Sequence, residues 1–274
     1  MEQSVEKFLR TKHLAHIWCP GCGNGTVLAA TVRAIEHLGL DQDKTVIVSG
    51  IGCSSRASGY MNFDTLHTAH GRALTFATGI KLARPELTVI VLTGDGDATA
   101  IGGNHFIHAA RRNIDLTTIV FNNGIYGMTG GQYSPLTPTG SYASTAPYGH
   151  IERPFDIAKL AIAAGATYVA RGTAYHTKML ADVIIKGIEH TGFSVIDAVT
   201  QCPTSFGRKN KMGAPAAMLE WQKDNAVTVE AAAKLTPEQL VGKFIIGELH
   251  RSEAPEYVAE YDKVIARAQK GAKK

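Results

Sequence analysis

Apolar positions recur along the chain with two periods. Across residues 26–38, Val27, Leu28, Thr31, Ile35 and Leu38 fall on one helical face and Gly39 follows as a stop, which predicts an amphipathic helix. Residues 71–83, closed by Pro85, and residues 101–112 read as two more helices. The β-branched runs at 45–49, 88–93 (TVIVLT) and 116–121 (LTTIVF) lack that period and read as short buried strands. Further on, helices are predicted at 155–164 and 176–190, with strands around Tyr168 and over 194–199. Strands alternating with helices predict an α/β fold, a mainly parallel sheet with helices on both faces.

In such a sheet, ligands bind beyond the carboxyl ends of the strands. Four strands run directly into chemically distinctive loops: Gly50-Ile51-Gly52-Cys53, Gly94-Asp95-Gly96-Asp97, Asn122-Asn123-Gly124, and the segment that carries Cys202. Their side chains are expected at one edge. The stretch 126–149, rich in Gly, Thr, Ser and Pro, is long for a structureless connection and reads as a functional loop.

With 274 residues the chain suits one large α/β domain, taken here as residues 1–203, with 204–274 an extension that packs on the domain or on a partner subunit. An apolar share of 45% and a charged share of 19% exclude disorder and fibrous structure. The net charge is +4, but the basic residues are dispersed, densest at Arg208-Lys209-Asn210-Lys211 and at Lys270-Gly271-Ala272-Lys273-Lys274. Without a basic stripe interleaved with aromatics, nucleic acid is excluded as a partner, although a local basic patch suits an acidic protein. The N-terminal stretch mixes Glu2, Glu6, Lys7, Arg10 and Lys12 without an apolar run, and no apolar run approaches a membrane span. The expectation is a cytoplasmic protein that neither crosses nor enters a membrane. In a reducing compartment the four cysteines are metal ligands or core residues rather than a disulfide framework.

Two constellations carry chemistry. Glycines flanking Asp95 let backbone amides approach a diphosphate, while the carboxylate holds the divalent ion that neutralises it. Mg2+ takes six oxygen ligands, and Asp95, the Asn123 side chain and the Ile125 carbonyl are assigned to it, with phosphate oxygens and water completing the set. Gly-Asp-Gly alone is commonly just a turn; its pairing with Asn122-Asn123 through one β-α-β unit is what favours the ligand reading. The second constellation is Cys19-Pro20-Gly21-Cys22 with Cys53 and Cys202, the only other cysteines. Four thiolates match one [4Fe-4S] cluster. Spacing also leaves open a structural zinc site, a redox dithiol at Cys19 and Cys22, and unligated core cysteines.

Taken in order, the segments Trp18-Cys19-Pro20-Gly21-Cys22-Gly23-Asn24-Gly25, Gly50-Ile51-Gly52-Cys53-Ser54-Ser55, His70-Gly71-Arg72-Ala73, Gly94-Asp95-Gly96-Asp97 and Asn122-Asn123-Gly124-Ile125-Tyr126-Gly127-Met128-Thr129-Gly130-Gly131-Gln132 resemble the successive motifs of the β subunit of 2-oxoacid:ferredoxin oxidoreductases. The likeness covers roughly residues 16 to 215. It implies a thiamine-diphosphate-binding fold with thiamine diphosphate, Mg2+ and a [4Fe-4S] cluster held by Cys19, Cys22, Cys53 and Cys202. It further implies that Asn24, Cys53, His70, Gly94, Asp95, Gly96, Asp97, Asn123, Gly124, Ile125, Tyr126, Gly127 and Met128 line the organic cofactor. Asn24 stands where some relatives carry Glu, and Gly130 where broad-specificity relatives carry Lys.

The same resemblance implies a heterodimer-based enzyme, an (αβ)2 assembly whose α subunit delivers the glutamate that activates the cofactor, so no catalytic residue is assigned within this chain. Ferredoxin is the expected electron acceptor, with coenzyme A and a 2-oxoacid as substrates. The segment 200–213 and the loop 126–149 look most like those of 2-oxoglutarate enzymes. Pyruvate and branched-chain 2-oxoacids are the alternative substrates. A non-oxidative thiamine-dependent decarboxylase, which has no use for a cysteine quartet, and a four-cysteine module without catalysis, which has no use for the Asp95 and Asn123 pair, are the competing readings.

Overall fold

The computed structural model of the chain describes residues 5–271; Met1-Glu2-Gln3-Ser4 and the last part of the basic C-terminal group, Ala272-Lys273-Lys274, lie outside them. The strands are β1 (Thr45–Ser49), β2 (Asp64–His67), β3 (Thr88–Gly94), β4 (Leu116–Asn122), β5 (Ile125–Tyr126), β6 (Gln132–Tyr133), β7 (Tyr168–Thr173), β8 (Phe193–Val199), β9 (Ala226–Thr228) and β10 (Phe244–Arg251). The helices are α1 (Asn24–His37), α2 (Ala57–Tyr60), α3 (Ala73–Ala83), α4 (Gly103–Arg111), α5 (Ile157–Ala164), α6 (Thr177–Glu189), α7 (Pro215–Asn225), α8 (Val229–Ala232) and α9 (Tyr257–Gly271).

Eight strands form one sheet in the order β2-β1-β3-β4-β8-β7-β10-β9. All neighbours from β2 to β7 run parallel, as the sequence predicts, and β10 lies antiparallel to β7. Burial on both faces explains why β1, β3, β4 and β8 read as continuous apolar runs. Along β3, Ile90 and Leu92 join Val27, Ile35, Leu180 and Ile184 under α1 and α6, while Val89 and Val91 join Leu74, Phe106, Ile157 and Ala161 under α3, α4 and α5.

Local chemistry sets the element ends. Asp156 caps α5, its carboxylate accepting from the Ala158 and Lys159 amides, and Gly165 closes that helix at φ 97°. The helix predicted over 101–112 begins at Gly103 because a π-helical turn, Asp97–Ile101, precedes it. Inside the predicted loop 126–149, β5 and β6 form a small hairpin, tied back by the Ser144 amide on the Gly131 carbonyl at 2.7 Å. Residues beyond 203 add β9 and β10 to the same sheet, elements no sequence signal indicated.

No helix among the described residues is long and apolar enough to cross a membrane.

Candidate functional site

The carboxyl ends of β1, β3, β4 and β8 lie side by side, so the loops after Ser49, Gly94, Asn122 and Val199 meet at one edge of the sheet. They enclose a cleft of about 120 Å³ lined by Cys53, His70, Gly94, Asp95, Gly96, Asp97, Asn123, Ile125, Tyr126, Gly127 and Met128. Every one of these was singled out from sequence. Two other predicted residues lie elsewhere. Asn24 borders the cysteine cavity described below, and Gly124 borders a separate cavity, its carbonyl accepting from Thr137 at 2.5 Å.

Asp95 is fully buried at the base of the cleft, where it accepts a hydrogen bond from the Ser134 hydroxyl. Burial outweighs that bond and those from the Asn123 and Gly96 amides, and it pushes the carboxyl up to about 7. A carboxylate so desolvated, without a cation beside it, is suited to a metal ion. Asn123 folds back so that its side-chain oxygen accepts the Ile125 amide at 3.2 Å, which fixes the turn leading into Ile125, itself a lining residue of the cleft.

Asp97 has a different part. Its carboxylate accepts from the Gly71 amide at 2.7 Å, from Thr93 Oγ1 at 2.7 Å and from the Ile51 amide at 3.4 Å, and it pairs with His70 Nδ1. It thus ties the loops after β1 and β2 to the start of the π-helical turn. His70, a third exposed and edge-on to the Tyr126 ring, lines the cleft. The close approaches account for the glycines: a Cβ on Gly50 would collide with the Asp97 carboxylate, and one on Gly96 with the Tyr126 ring. The Tyr126 hydroxyl donates to the Gly96 carbonyl at 2.9 Å. Burial, then Asp95 and Asp97, push this phenol up to about 12, so it stays a donor.

Sharing Cys53, Asn123, Gly127 and Met128 with that cleft is a second cavity of about 60 Å³, lined by all four cysteines. Cys19 is exposed, Cys22 and Cys53 are partly buried, and Cys202 is buried. The Cys53 and Cys202 sulfurs both lie 3.6 Å from where a Gly127 side chain would begin. The segments are laced together: Trp18 Nε1 donates to the Cys53 carbonyl at 2.6 Å, the Gly23 amide to the Gln201 carbonyl at 3.1 Å, and Gln201 Nε2 to the Gly21 carbonyl at 3.0 Å. Burial, reinforced by the neighbouring thiols, pushes Cys22 up to about 12 and Cys53 up to about 11. Four converging thiols, two of them resisting ionisation on their own, fit a cationic metal group.

No three His, Cys, Asp or Glu side chains among the described residues are close enough to share one metal ion. A single tetrahedral zinc needs its sulfurs at about 2.3 Å. The wider quartet, around a cavity rather than a point, suits a group larger than an ion. Asn24 adds to this: it is fully buried beside the thiols, and neither its amide nitrogen nor its oxygen has a partner.

Some site residues escaped sequence reasoning. Ser134 reaches Asp95 from within the 126–149 loop, and Ile51, Gly52, Ser54 and Thr129 complete the cleft. Nothing local in the sequence marks Ser134; the residues around Cys53 belonged to a segment already suspect.

Residues 50–198, which carry the buried aspartate and the Asx turn at the carboxyl edge of the parallel sheet, match the family model for the thiamine pyrophosphate enzyme C-terminal TPP binding domain, and this match defines the class of protein. The 2-oxoglutarate synthase subunit KorB of Methanothermobacter thermautotrophicus is 56% identical over 255 residues, 93% of this chain and 89% of that one. Its counterpart in Methanocaldococcus jannaschii is 54% identical over 259 residues, 94% and 96% of the two chains. Among solved structures, 2-oxoglutarate:ferredoxin oxidoreductase from Magnetococcus marinus, with 2-oxoglutarate, coenzyme A and succinyl-CoA bound, superimposes with a TM-score of 0.87 at 35% identity, covering 97% of this chain and 91% of that one. The chain belongs to the KorB family of 2-oxoglutarate synthase subunits, the β subunits of 2-oxoacid:ferredoxin oxidoreductases.

Proposed function

We propose that the chain binds thiamine diphosphate, Mg2+ and one [4Fe-4S] cluster, within an enzyme that converts 2-oxoglutarate and coenzyme A to succinyl-CoA and CO2 while reducing ferredoxin. The observation that carries this reading is the shared wall: Cys53, Asn123, Gly127 and Met128 border both the aspartate cleft and the cysteine cavity. Two redox partners held on either side of one wall exchange electrons without a carrier between them.

Asp95, the Asn123 side chain and the Ile125 carbonyl would hold Mg2+, which then takes the place of the missing cation beside the buried carboxylate. The backbone of Gly94 to Asp97 and of Asn123 to Met128 would line the diphosphate, with His70, oriented by Asp97, as a polar contact. Cys19, Cys22, Cys53 and Cys202 would ligate the cluster, and Asn24 would supply a polar contact beside it. When bound, thiamine diphosphate supplies the electron sink for decarboxylation and the cluster accepts electrons singly.

The chain itself supplies no acid or base for activating the cofactor; that glutamate belongs to the α subunit, and the working unit is an α/β heterodimer paired as (αβ)2. Residues 1–203 form the cofactor-binding unit and 204–274 an extension packed on its sheet. The protein works in the cytoplasm.

The test is the co-purified α/β complex, assayed anaerobically for viologen reduction with coenzyme A and a panel of 2-oxoacids. The expected result is turnover with 2-oxoglutarate well above that with pyruvate or branched-chain 2-oxoacids. Preference for another member of the panel would overturn the substrate assignment, and product release without dye reduction would replace it with non-oxidative decarboxylation.

A further inference from the structure

The cysteine cavity is nearest to solvent on one side. Cys19 is exposed, and Ile17, Met128 and Thr204 at the cavity's rim are exposed as well. Electron transfer falls off exponentially with distance, so a carrier must dock where the cluster approaches the surface.

Beside that opening the chain makes a basic turn. Cys202 leads into the π-helical turn Pro203–Gly207, whose Thr204 and Ser205 border the cavity. Arg208 and Lys209 follow one turn later, the Arg208 amide bonding the Pro203 carbonyl at 3.0 Å. Lys209 lies alongside Ser205: Lys209 Cε and Ser205 Cβ each stand 3.3 Å from where a Gly131 side chain would begin. Lys209 and Lys211 also border a surface groove of about 660 Å³ whose other walls are Thr139, Gly140, Ser141, Tyr142 and Asn210, without a carboxylate among them.

The turn is held in place by its own bonds. Asn210 accepts from the Tyr142 amide at 2.8 Å and donates to the Tyr142 and Phe206 carbonyls at 3.1 and 3.0 Å. Lys211 adopts φ 53°, a left-handed conformation uncommon outside glycine, and the Met212 amide closes on the Gly207 carbonyl at 3.0 Å. Arg208, Lys209 and Lys211 are all exposed, and none makes an ion pair among the described residues. Three cations without counter-charges, on a constrained turn beside an apolar rim at Ile17 and Met128, have the composition of a protein interface steered by charge.

We propose that the basic turn Arg208-Lys209-Asn210-Lys211 is the docking surface for an acidic electron-carrier protein of the ferredoxin type, which sits over the Cys19 side of the cysteine quartet. The proposal rests on the cluster reading above. It places the carrier's negative surface on the turn and the groove, and its redox centre over the exposed rim.

The experiment compares the α/β complex with its Arg208→Glu/Lys209→Glu/Lys211→Glu variant, and with the milder triple Gln variant in case charge reversal impairs folding. Calorimetric titration with a small acidic ferredoxin measures docking directly, independent of turnover; ferredoxin and methyl viologen reduction, iron content and co-elution of the two subunits are read in parallel. The expected result is a ferredoxin Kd raised by about tenfold or more in low salt and a flattened ionic-strength dependence, with viologen reduction, iron and co-elution unchanged. A variant that binds ferredoxin as tightly as the native complex, with the same salt dependence, would overturn the proposal. So would loss of co-elution, which assigns the turn to the α subunit instead. If the native complex binds ferredoxin but holds no iron, the cluster reading fails while the docking result still stands or falls on the titration.

Discussion

Trp18 and Cys53 are joined by a hydrogen bond from the indole Nε1 to the Cys53 carbonyl at 2.6 Å, across 35 residues of chain. The bond aligns the Cys19-Pro20-Gly21-Cys22 turn with the loop after β1, and Tyr60 braces the indole edge-on at 5.2 Å between ring centres. Removing the donor strands a partly buried carbonyl, a loss of about 1–3 kcal/mol. Trp18→Phe is therefore expected to melt several degrees lower and to release iron to a chelator faster, while thiamine diphosphate affinity changes less. Iron release at the native rate would show that the bond does not register the two cysteine segments.

Asp95 is the one carboxylate at the base of the cleft with no cationic partner among the described residues. Asp95→Asn removes a charge that is costly to bury and keeps the side-chain shape. The cofactor-free variant is expected to melt no lower than the native chain, whereas Mg2+-dependent binding of thiamine diphosphate, followed by titration, is lost. Native cofactor affinity in the variant would remove Asp95 from the metal site.

The sheet and most of the cleft were legible because their signals are local. Runs such as residues 88–93 and the Gly-Asp-Gly and Asn-Asn-Gly loops each fit within one strand and its exit, and topology then brings them together. Contacts made by a single side chain across the fold were not legible. Ser134 bonds Asp95 from 39 residues away, and no local signal showed that Asn24 would lie buried and unpartnered beside the thiols. β2 and β10 were also missed: both carry partly exposed, polar positions such as Asp64, His67, Glu248 and His250, so an apolar-run signal is absent, and they are strands because their neighbours offer backbone partners. The Asp97 pair with His70 and Gly71 belongs to the same class.

Gly50 and Gly79 separate close approach from mere backbone freedom. A Cβ on Gly50 would collide with the Asp97 carboxylate that holds Gly71, Thr93 and His70, whereas one on Gly79, within α3, meets nothing within 4 Å. Gly50→Ala is expected to destabilise by about 1–3 kcal/mol. Gly79→Ala should stabilise by roughly 0.5–1 kcal/mol. Opposite signs in denaturant melts, with the larger change at Gly50, check the pair; a neutral Gly50→Ala would mean that the Asp97 knot is slack.

His190, beside Thr167 Oγ1 at 2.7 Å, supplies a pH dependence away from the site. Burial first, then Arg251, hold its pKa below the ordinary value of 6.5. The folded state thus binds fewer protons than the unfolded one, so its contribution to stability is complete above 6.5 and is lost as the pH falls through 6.5 toward the folded value. Asp95, held up at about 7, works in the opposite sense over the same range, so the His190 contribution is read as a difference: relative to His190→Gln, the native chain is expected to lose stability as the pH falls from about 7.5 to about 5.5. A native-minus-variant difference that does not change with pH would remove His190 from the balance.

The central claim, that this chain holds a cluster and not a lone ion beside its cofactor cleft, is tested most directly by counting iron and acid-labile sulfide per chain after anaerobic purification. The account predicts about four of each with a brown absorbance, and a loss of both in Cys202→Ser. One zinc per chain with no sulfide, in a complex that still reduces dye with 2-oxoglutarate, would contradict it.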